Sequence, residues 1–324
     1  MRAIQIDRFG DTDTMHLADV PLGDPGPGEV RVRHRACGIN FIDIYHRSGL
    51  YPLPLPLVLG SEGAGVVEAI GPGVTHLAVG DRVAYAARTP GSYAEARVLP
   101  ALPVVKLPDA IDFETGAAMM LKGLTVQYLL RRTRVTLGPG DMILWHAAAG
   151  GVGLIACQWA RALGVRLIGT AGSDDKCRLA EQHGAAHMIN YRREDVVARV
   201  RELTAGKGVP VVYDAVGKDT WDRSLDCLSP LGLMVSFGNA SGPVPPVALG
   251  QLAQKGSLYV QRPTLGSYLS TREAAEQMAN ELFEMVGSGK VKIPLNRKYP
   301  LAEAARAHRD LESRATTGAG VLIP

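Results

Sequence analysis

The stretch Ile143-Leu144-Trp145-His146-Ala147-Ala148-Ala149-Gly150-Gly151-Val152-Gly153 decides the fold. An apolar run breaks into small residues and glycines, and an apolar-patterned segment from Leu154 to Leu163 follows at once. That order reads strand, tight turn, helix. The turn lacks bulk where a phosphate-bearing ligand could lie against bare backbone. The N-terminus of the helix offers unpaired N–H groups and a partial positive charge, which suits a pyrophosphate. The spacing is Ala148-x-Gly150-x-x-Gly153, so Ala stands in the first place of the usual glycine fingerprint. Ala149, Gly150, Gly151 and Val152 are the candidate contacts to a dinucleotide.

Downstream, strands and helices alternate. Val165–Thr170 reads as a buried strand, Lys176–His183 as a helix, and His187–Asn190 as a third strand. Val196–Leu203 is amphipathic, and Val209–Ala215, Leu233–Gly238 and Leu258–Val260 are further strands. This alternation predicts a parallel sheet covered by helices on both faces. Upstream, the first ~120 residues are rich in Gly and Pro and carry short β-like runs, with turn signals between them. Val30–Arg33, Gly65–Ile70 and Arg82–Tyr85 are such runs, and Gly26-Pro27-Gly28 and Gly71-Pro72-Gly73 are such turns. Asp112 is placed to cap a helix from Phe113 to Ala118. In the tail, Arg272–Val286 and Leu301–Leu311 read as helices, and Gly320–Ile323 as a closing strand. A last strand needs a sheet, and the N-terminal one is the plausible host. The nucleotide domain is then an insertion, with expected bounds of 1–122, 123–262 and 263–324.

At 324 residues and 46% hydrophobic content, the chain is globular and long enough for two domains. The formal net charge of +3 is spread over the whole length, with no block of like charge to suggest a nucleic-acid arm. Cys37, Cys157, Cys177 and Cys227 are far apart and form no C-x-x-C pair. The start goes directly into an alternating pattern with no apolar signal core, and no apolar run approaches the roughly 20 residues of a membrane span. A soluble, reducing, cytoplasmic setting with no membrane partner is expected.

The end of the second strand indicates which dinucleotide. NAD sites often place an acid there to hold the ribose 2′-hydroxyl. Here the region reads Thr170-Ala171-Gly172-Ser173, small and uncharged, followed by Lys176 and by Tyr191-Arg192 after the third strand. A 2′-phosphate is repelled by an acid and welcomes a lysine, a hydroxyl and an aromatic wall, so NADPH is expected. Asp174 and Asp175 pull the other way: either they cap the next helix, or they approach the ribose. Lys176 has an alternative as a solvated helix residue.

Over its full length the chain resembles the medium-chain dehydrogenase/reductase superfamily. The matching residues are Gly60-Ser61-Glu62-Gly63-Ala64-Gly65, Gly80-Asp81-Arg82-Val83 and Ala147 through Gly153. The fold this implies is α/β, a Rossmann-type doubly wound parallel sheet inserted into a mostly β GroES-like catalytic domain. Alcohol dehydrogenases of that superfamily carry catalytic zinc on a Cys, a His and a third ligand. Cys37 falls at the Cys position, yet Ser61 stands at the His position beside Glu62. The Cys-rich lobe for structural zinc is also absent from Arg88-Thr89-Pro90-Gly91 to Ser92-Tyr93-Ala94-Glu95. One thiol cannot build a tetrahedral zinc site, so no metal is expected.

Within the superfamily the chain is most similar to the zinc-free, zeta-crystallin-like quinone oxidoreductases, the bacterial NADPH:quinone reductases in particular. The motifs are Gly38-Ile39-Asn40-Phe41-Ile42-Asp43, Arg47 to Pro52, Leu121-Lys122-Gly123-Leu124-Thr125, Ser236 to Asn239, Arg262-Pro263-Thr264 and Glu312 to Thr316. The resemblance implies that Gly172, Ser173, Lys176 and Tyr191 form the adenosine-phosphate pocket. It places Asn40, Thr125, Phe237, Gly238 and Asn239 along the nicotinamide end, and Tyr45, Tyr51 and Arg262 at the substrate cleft. Asn40, Tyr45, Tyr51 and Arg262 are the candidates to stabilise an oxyanion. Tyr51 could instead staple a proline-rich loop, Tyr45 could be core, and Asn40 could bond backbone only.

The chemistry implied is hydride transfer from NADPH to a small quinone. A quinone is already electrophilic, so no Lewis acid is needed to polarise it. One alternative is an NADPH-dependent reductase of α,β-unsaturated ketones or aldehydes. An alternative of another class is a non-catalytic RNA-binding or crystallin-like structural protein. RNA binding asks for a basic stripe with exposed aromatics, and only scattered pairs such as Arg131-Arg132 and Arg192-Arg193 are present. A homodimer is expected by analogy, with a seam at the strand near Leu258-Tyr259-Val260.

Overall fold

The computed structural model describes residues 1–313 and 316–324. Arg314 and Ala315, part of the Glu312 to Thr316 motif, lie outside the described residues. The chain forms two compact units: Met1–Leu124 with Tyr268–Gly287 and Ile293–Pro324, and Thr125–Ser267 with Ser288–Lys292. The boundary at Leu124 falls inside a helix, Phe113–Arg131.

The second unit is built on a parallel sheet. Its strand order is His187–Asn190, Arg166–Ala171, Met142–Trp145, Val209–Asp214, Leu228–Ser236, Tyr259–Gln261. From Met142–Trp145 the chain winds outward in one direction through two strands, then returns and winds the other way. The reversal lies between Met142–Trp145 and Val209–Asp214, which pair in parallel through Val212 and Leu144. A crevice opens at such a switch point beyond the carboxyl ends of the strands. The turn after Trp145 is at that end. The strands are near-continuous runs of Val, Ile, Leu and Met because helices cover both faces. Leu144, Ile168, Ile189, Val212 and Met234 are buried together across the sheet, with Val196 and Val200 packed on them from the helix Val196–Leu203.

In the first unit the ten-residue strand Glu29–Gly38 is the hub. It pairs antiparallel with Glu62–Ile70, Ala96–Pro100 and the closing strand Ala319–Ile323. Val30 and Val32 alternate inward onto Val67, Val83 and Leu99. Cys37, Leu59, Tyr93 and Leu322 belong to a second cluster that the helix Ala304–Glu312 covers with Ala304 and Ala307. The α/β fold class is therefore the expected one, with a parallel nucleotide-type sheet and a separate, mostly β unit carrying both chain ends. Among the described residues no helix is long and apolar enough to cross a membrane.

The elements differ from the sequence expectation in instructive places. The helix expected to stop at Ala118 runs on to Arg131. Ala117 to Met120, Leu124, Val126, Leu129 and Leu130 are all buried, so the helix has no wet face and no amphipathic period to read. Phe41–Ser48 is a helix, started by Asn40, whose N–H is held at 2.9 Å by Asp43 Oδ2. Leu301–Leu311 begins with a tighter turn, Leu301–Glu303, before the helix Ala304–Glu312. The strand Leu295–Pro300 was not foreseen; four of its six residues are exposed.

Candidate functional site

The fingerprint turn is tied down by its neighbours and left open at its tip. His146 N–H donates to Tyr213 O at 3.0 Å and Ala148 N–H to Thr170 O at 3.0 Å, so the turn is stitched to both adjacent strands. Ala147 takes a left-handed conformation, φ 55°. A side chain at Gly153 would meet Ala148 O at 2.5 Å and Ala147 O at 2.6 Å, so only glycine lets the helix start this close to the turn. The helix Gly151–Ala162 begins at Gly150 with no side-chain cap. Its first N–H groups remain for an acceptor from outside, which a pyrophosphate supplies. Below the turn, His146 bridges Thr170 Oγ1 at 3.0 Å and Ser224 Oγ at 2.9 Å, and Ser224 donates to Asp214 Oδ2 at 2.7 Å. This buried chain joins the turn, the two strands beside it and the helix Trp221–Asp226 under the ligand edge.

Beside the turn, a depression of about 380 Å³ is lined by Gly172, Ser173, Asp174, Asp175, Arg178, Asn190, Arg192 and Arg193. Ser173 caps the helix Asp174–Gln182 by accepting the Lys176 N–H at 3.4 Å. Asp174 is fully engaged. Its Oδ1 accepts from Asn190 Nδ2 at 2.6 Å, and its Oδ2 from Arg193 at 2.6 Å. Asp175 pairs with Arg178. Arg192 has no carboxylate partner among the described residues. Three guanidinium groups against two carboxylates leave a net positive rim, which suits a phosphate. Gly172 and Ser173 line the depression, and the Tyr191 hydroxyl stands over Gly172. Lys176 is in the first turn of the helix but is not among the lining residues. Sequence reasoning named Arg192 beside Tyr191 but missed Arg178 and Arg193; the signal was that both acids are followed by arginines within the same strand–helix–strand segment.

The other nucleotide-end candidates converge in the same unit. Phe237 leans on Trp145, ring centres 5.5 Å apart, and Trp145 lies 4.8 Å from Tyr213. Arg262 Nη1 donates to Ser236 Oγ and to Gly238 O, each at 3.1 Å, and so pins the Phe237-Gly238-Asn239 segment. Thr125 lies, buried, on the helix Phe113–Arg131.

In the first unit the structure brings Asn40, Tyr45 and Tyr51 to one helix and the loop after it. Tyr45 and Tyr51 meet edge to face with centres 5.1 Å apart. Asn40 is 5% exposed, and its side chain joins a buried cluster. Asn40 Nδ2 donates to Glu62 Oε2 at 2.7 Å, and Lys122 Nζ donates to Asn40 Oδ1 at 2.8 Å. Ser61 Oγ and Tyr93 Oη donate to Asp43 at 2.8 and 2.9 Å. Burial pushes the Asp43 carboxyl up to about 7, against those hydrogen bonds and Lys122. Glu62 is also raised by burial, opposed first by Lys122.

The donor set does not fit zinc. Burial pushes the Cys37 thiol up to about 12, while a metal ligand must be the thiolate. Ser61 is spent on Asp43. Glu62 is held by Asn40, by Lys122 and by the Leu121 N–H at 2.8 Å. An ammonium already faces the carboxylate that a cation would need.

Two family models match: the alcohol dehydrogenase GroES-like domain over residues 26–109, and the zinc-binding dehydrogenase over residues 151–284. A quinone oxidoreductase of Pseudomonas aeruginosa is 60% identical over 324 residues, covering 100% of this chain and 99% of the relative. The crystal structure of Escherichia coli quinone oxidoreductase complexed with NADPH superposes with a TM-score of 0.98 at 52% identity, covering 100% of both chains. A 2-haloacrylate reductase of a Burkholderia species is 44% identical, covering 99% of this chain and 98% of that one. By sequence, by fold and by its turn, the chain belongs to the quinone oxidoreductases of the medium-chain dehydrogenase/reductase superfamily.

Proposed function

We propose that this protein reduces quinones with NADPH and uses no metal ion to do so. The observation that carries this reading is the arginine-rimmed depression at the end of the second strand, one step from an uncapped helix N-terminus. Together they offer sites for the 2′-phosphate and the pyrophosphate of one dinucleotide. Full-length identity to quinone oxidoreductases supports the acceptor.

NADPH, when bound, supplies the hydride. The N–H groups of Gly151, Val152 and Gly153, with Ala149 and Gly150 at the tip, hold the pyrophosphate. Gly172, Ser173, Lys176, Tyr191 and Arg192 receive the adenosine phosphate. Phe237, Gly238, Asn239 and Thr125 shape the nicotinamide end, with Arg262 fixing the first three. Asn40, Tyr45 and Tyr51 border the quinone and donate hydrogen bonds to the oxygen that gains charge. One quinone, one NADPH and one proton give one quinol and NADP⁺, and solvent supplies the proton.

The reading includes a homodimer. Among the described residues the strand Tyr259–Gln261 pairs on one side only, and Tyr259 and Val260 are 41% and 42% exposed on that edge strand. It also includes a reducing, cytoplasmic setting, which suits thiols such as Cys37, Cys157 and Cys227 that burial pushes up to about 12. A second reading, reduction of an activated alkene, is favoured by the 44% identity to a 2-haloacrylate reductase. NADPH oxidation measured against quinones and 2-alkenals side by side separates the two.

A further inference from the structure

Glu62 is wholly buried, and its two oxygens face different donors. Oε1 accepts the Leu121 N–H at 2.8 Å; Oε2 accepts Asn40 Nδ2 at 2.7 Å and lies 3.5 Å from Lys122 Nζ. Lys122 Nζ donates to Asn40 Oδ1 at 2.8 Å and to Ile39 O at 3.0 Å. An ammonium only donates and a carboxylate only accepts. The Asn40 carboxamide therefore has one orientation, oxygen to Lys122 and nitrogen to Glu62. A flip would set donor against donor and acceptor against acceptor in a buried site, where an unmade hydrogen bond is costly. The backbone is fixed as well: Asn40 N–H is bonded to Asp43 Oδ2, which Tyr93 also holds. Gly38 leaves the space that Glu62 fills, since any side chain there would collide with the Glu62 carboxylate. Among the described residues Nδ2 donates only to Glu62, so one N–H of the carboxamide remains uncommitted.

We propose that Lys122 and Glu62 are positioning residues that lock the Asn40 carboxamide, so that its remaining N–H serves the quinone oxygen that takes up charge as hydride arrives. The proposal rests on the reading that Asn40 borders the quinone. It gives the buried ion pair a task that packing alone does not require: a hydrophobic pair of the same volume would often be no less stable.

The test compares Asn40→Ala, Glu62→Gln and the double variant Asn40→Asp with Glu62→Gln. For each, kcat with 1,4-benzoquinone, KM and direct binding of NADPH, and Tm are measured. In Glu62→Gln the Leu121 N–H claims the amide oxygen, so the new NH₂ faces Asn40 and the single orientation is lost. Asn40→Ala and Glu62→Gln should each lower kcat by about tenfold or more, with NADPH binding within about twofold of wild type. In the double variant the carboxylate at 40 accepts from both Gln and Lys122, so the cluster is satisfied but the donor is gone. It should fold with a Tm near wild type and be as slow as Asn40→Ala. Wild-type kcat in folded Glu62→Gln beside a slow Asn40→Ala overturns the positioning role and leaves the Asn40 reading intact. Wild-type kcat in Asn40→Ala overturns that reading itself. If Glu62→Gln does not fold, Lys122→Met, which removes the donor that holds Asn40 Oδ1, decides: folded and slow with NADPH binding near wild type supports the proposal, folded with wild-type kcat overturns it.

Discussion

Arg193 holds the Asp174 carboxylate at 2.6 Å, on the rim of the depression that Arg192 lines without a carboxylate partner among the described residues. The acid that sequence alone could assign either to a cap or to a ribose is thereby taken out of competition. It is turned to Arg193 and Asn190, and the pocket keeps a positive charge to spare.

Cofactor choice should follow from that pairing. Arg192→Ala removes a charge-assisted bond to the 2′-phosphate and should raise KM for NADPH by about tenfold or more, with NADH little changed. Lys176→Ala should act in the same direction but less, because Lys176 is outside the lining. Arg193→Ala should shift preference toward NADH, since Asp174 is then free to face the ribose. Steady-state kinetics with both cofactors checks all three, and equal effects on NADPH and NADH would remove the phosphate role.

Gly153 should tolerate no side chain. The methyl of Gly153→Ala would sit 2.5 Å from Ala148 O, and overpacking of this kind costs about 1–3 kcal/mol. The turn must shift to relieve it, so NADPH affinity should fall with Tm. At Gly150 the nearest contact would be Ala147 O at 3.3 Å, so Gly150→Ala should lose cofactor affinity with a smaller loss of Tm. Thermal melts and NADPH titration separate these outcomes.

Acid should destabilise the fold. Burial holds His34 and His46 down to about 4 and His308 down to about 3. A depressed histidine contributes stability that is present above about 6.5 and is lost as pH falls through its folded value. Asp43, raised by burial to about 7, acts oppositely: its contribution is present below about 4 and is lost as pH rises through 7. Between pH 6.5 and 4 five depressed histidines, His146 and His187 included, oppose two raised carboxyls, Asp43 and Glu62, and each pKa unit is worth about 1.4 kcal/mol. Tm should therefore fall from pH 7 to pH 5. A Tm that rises over that interval would contradict the neutral, buried assignment of these histidines.

Activity should be indifferent to metal. Chelators should leave kcat unchanged, and elemental analysis of the purified protein should find less than stoichiometric zinc. Loss of activity on chelation, restored by zinc, would contradict the reading of Cys37, Ser61 and Glu62.

Much of this was legible in the sequence because local chemistry and global fold agree there. His187–Asn190 and Val196–Leu203 were bounded to the residue, since a strand between turns and an amphipathic helix each carry a clean period. The return of Ala319–Ile323 to the first sheet followed from a strand needing partners, and it pairs through Leu322 with Cys37. The Phe113–Arg131 helix was cut short because a helix buried all round shows no period. At the site, the Asn40–Glu62–Lys122 cluster could not be read. Its members are 22 and 60 residues apart in steps along the chain, and only the fold brings them together. The pairing of Asp174 with Arg193 was hidden for the same reason, as it joins a helix start to the far end of the next strand.

The central claim is most directly tested by NADPH oxidation against 1,2-naphthoquinone, 1,4-benzoquinone and a series of 2-alkenals, with NADH in parallel and chelator present. The account predicts quinone-dependent oxidation of NADPH, slower with NADH and insensitive to chelator. Turnover of 2-alkenals with no quinone-dependent oxidation of NADPH would contradict it.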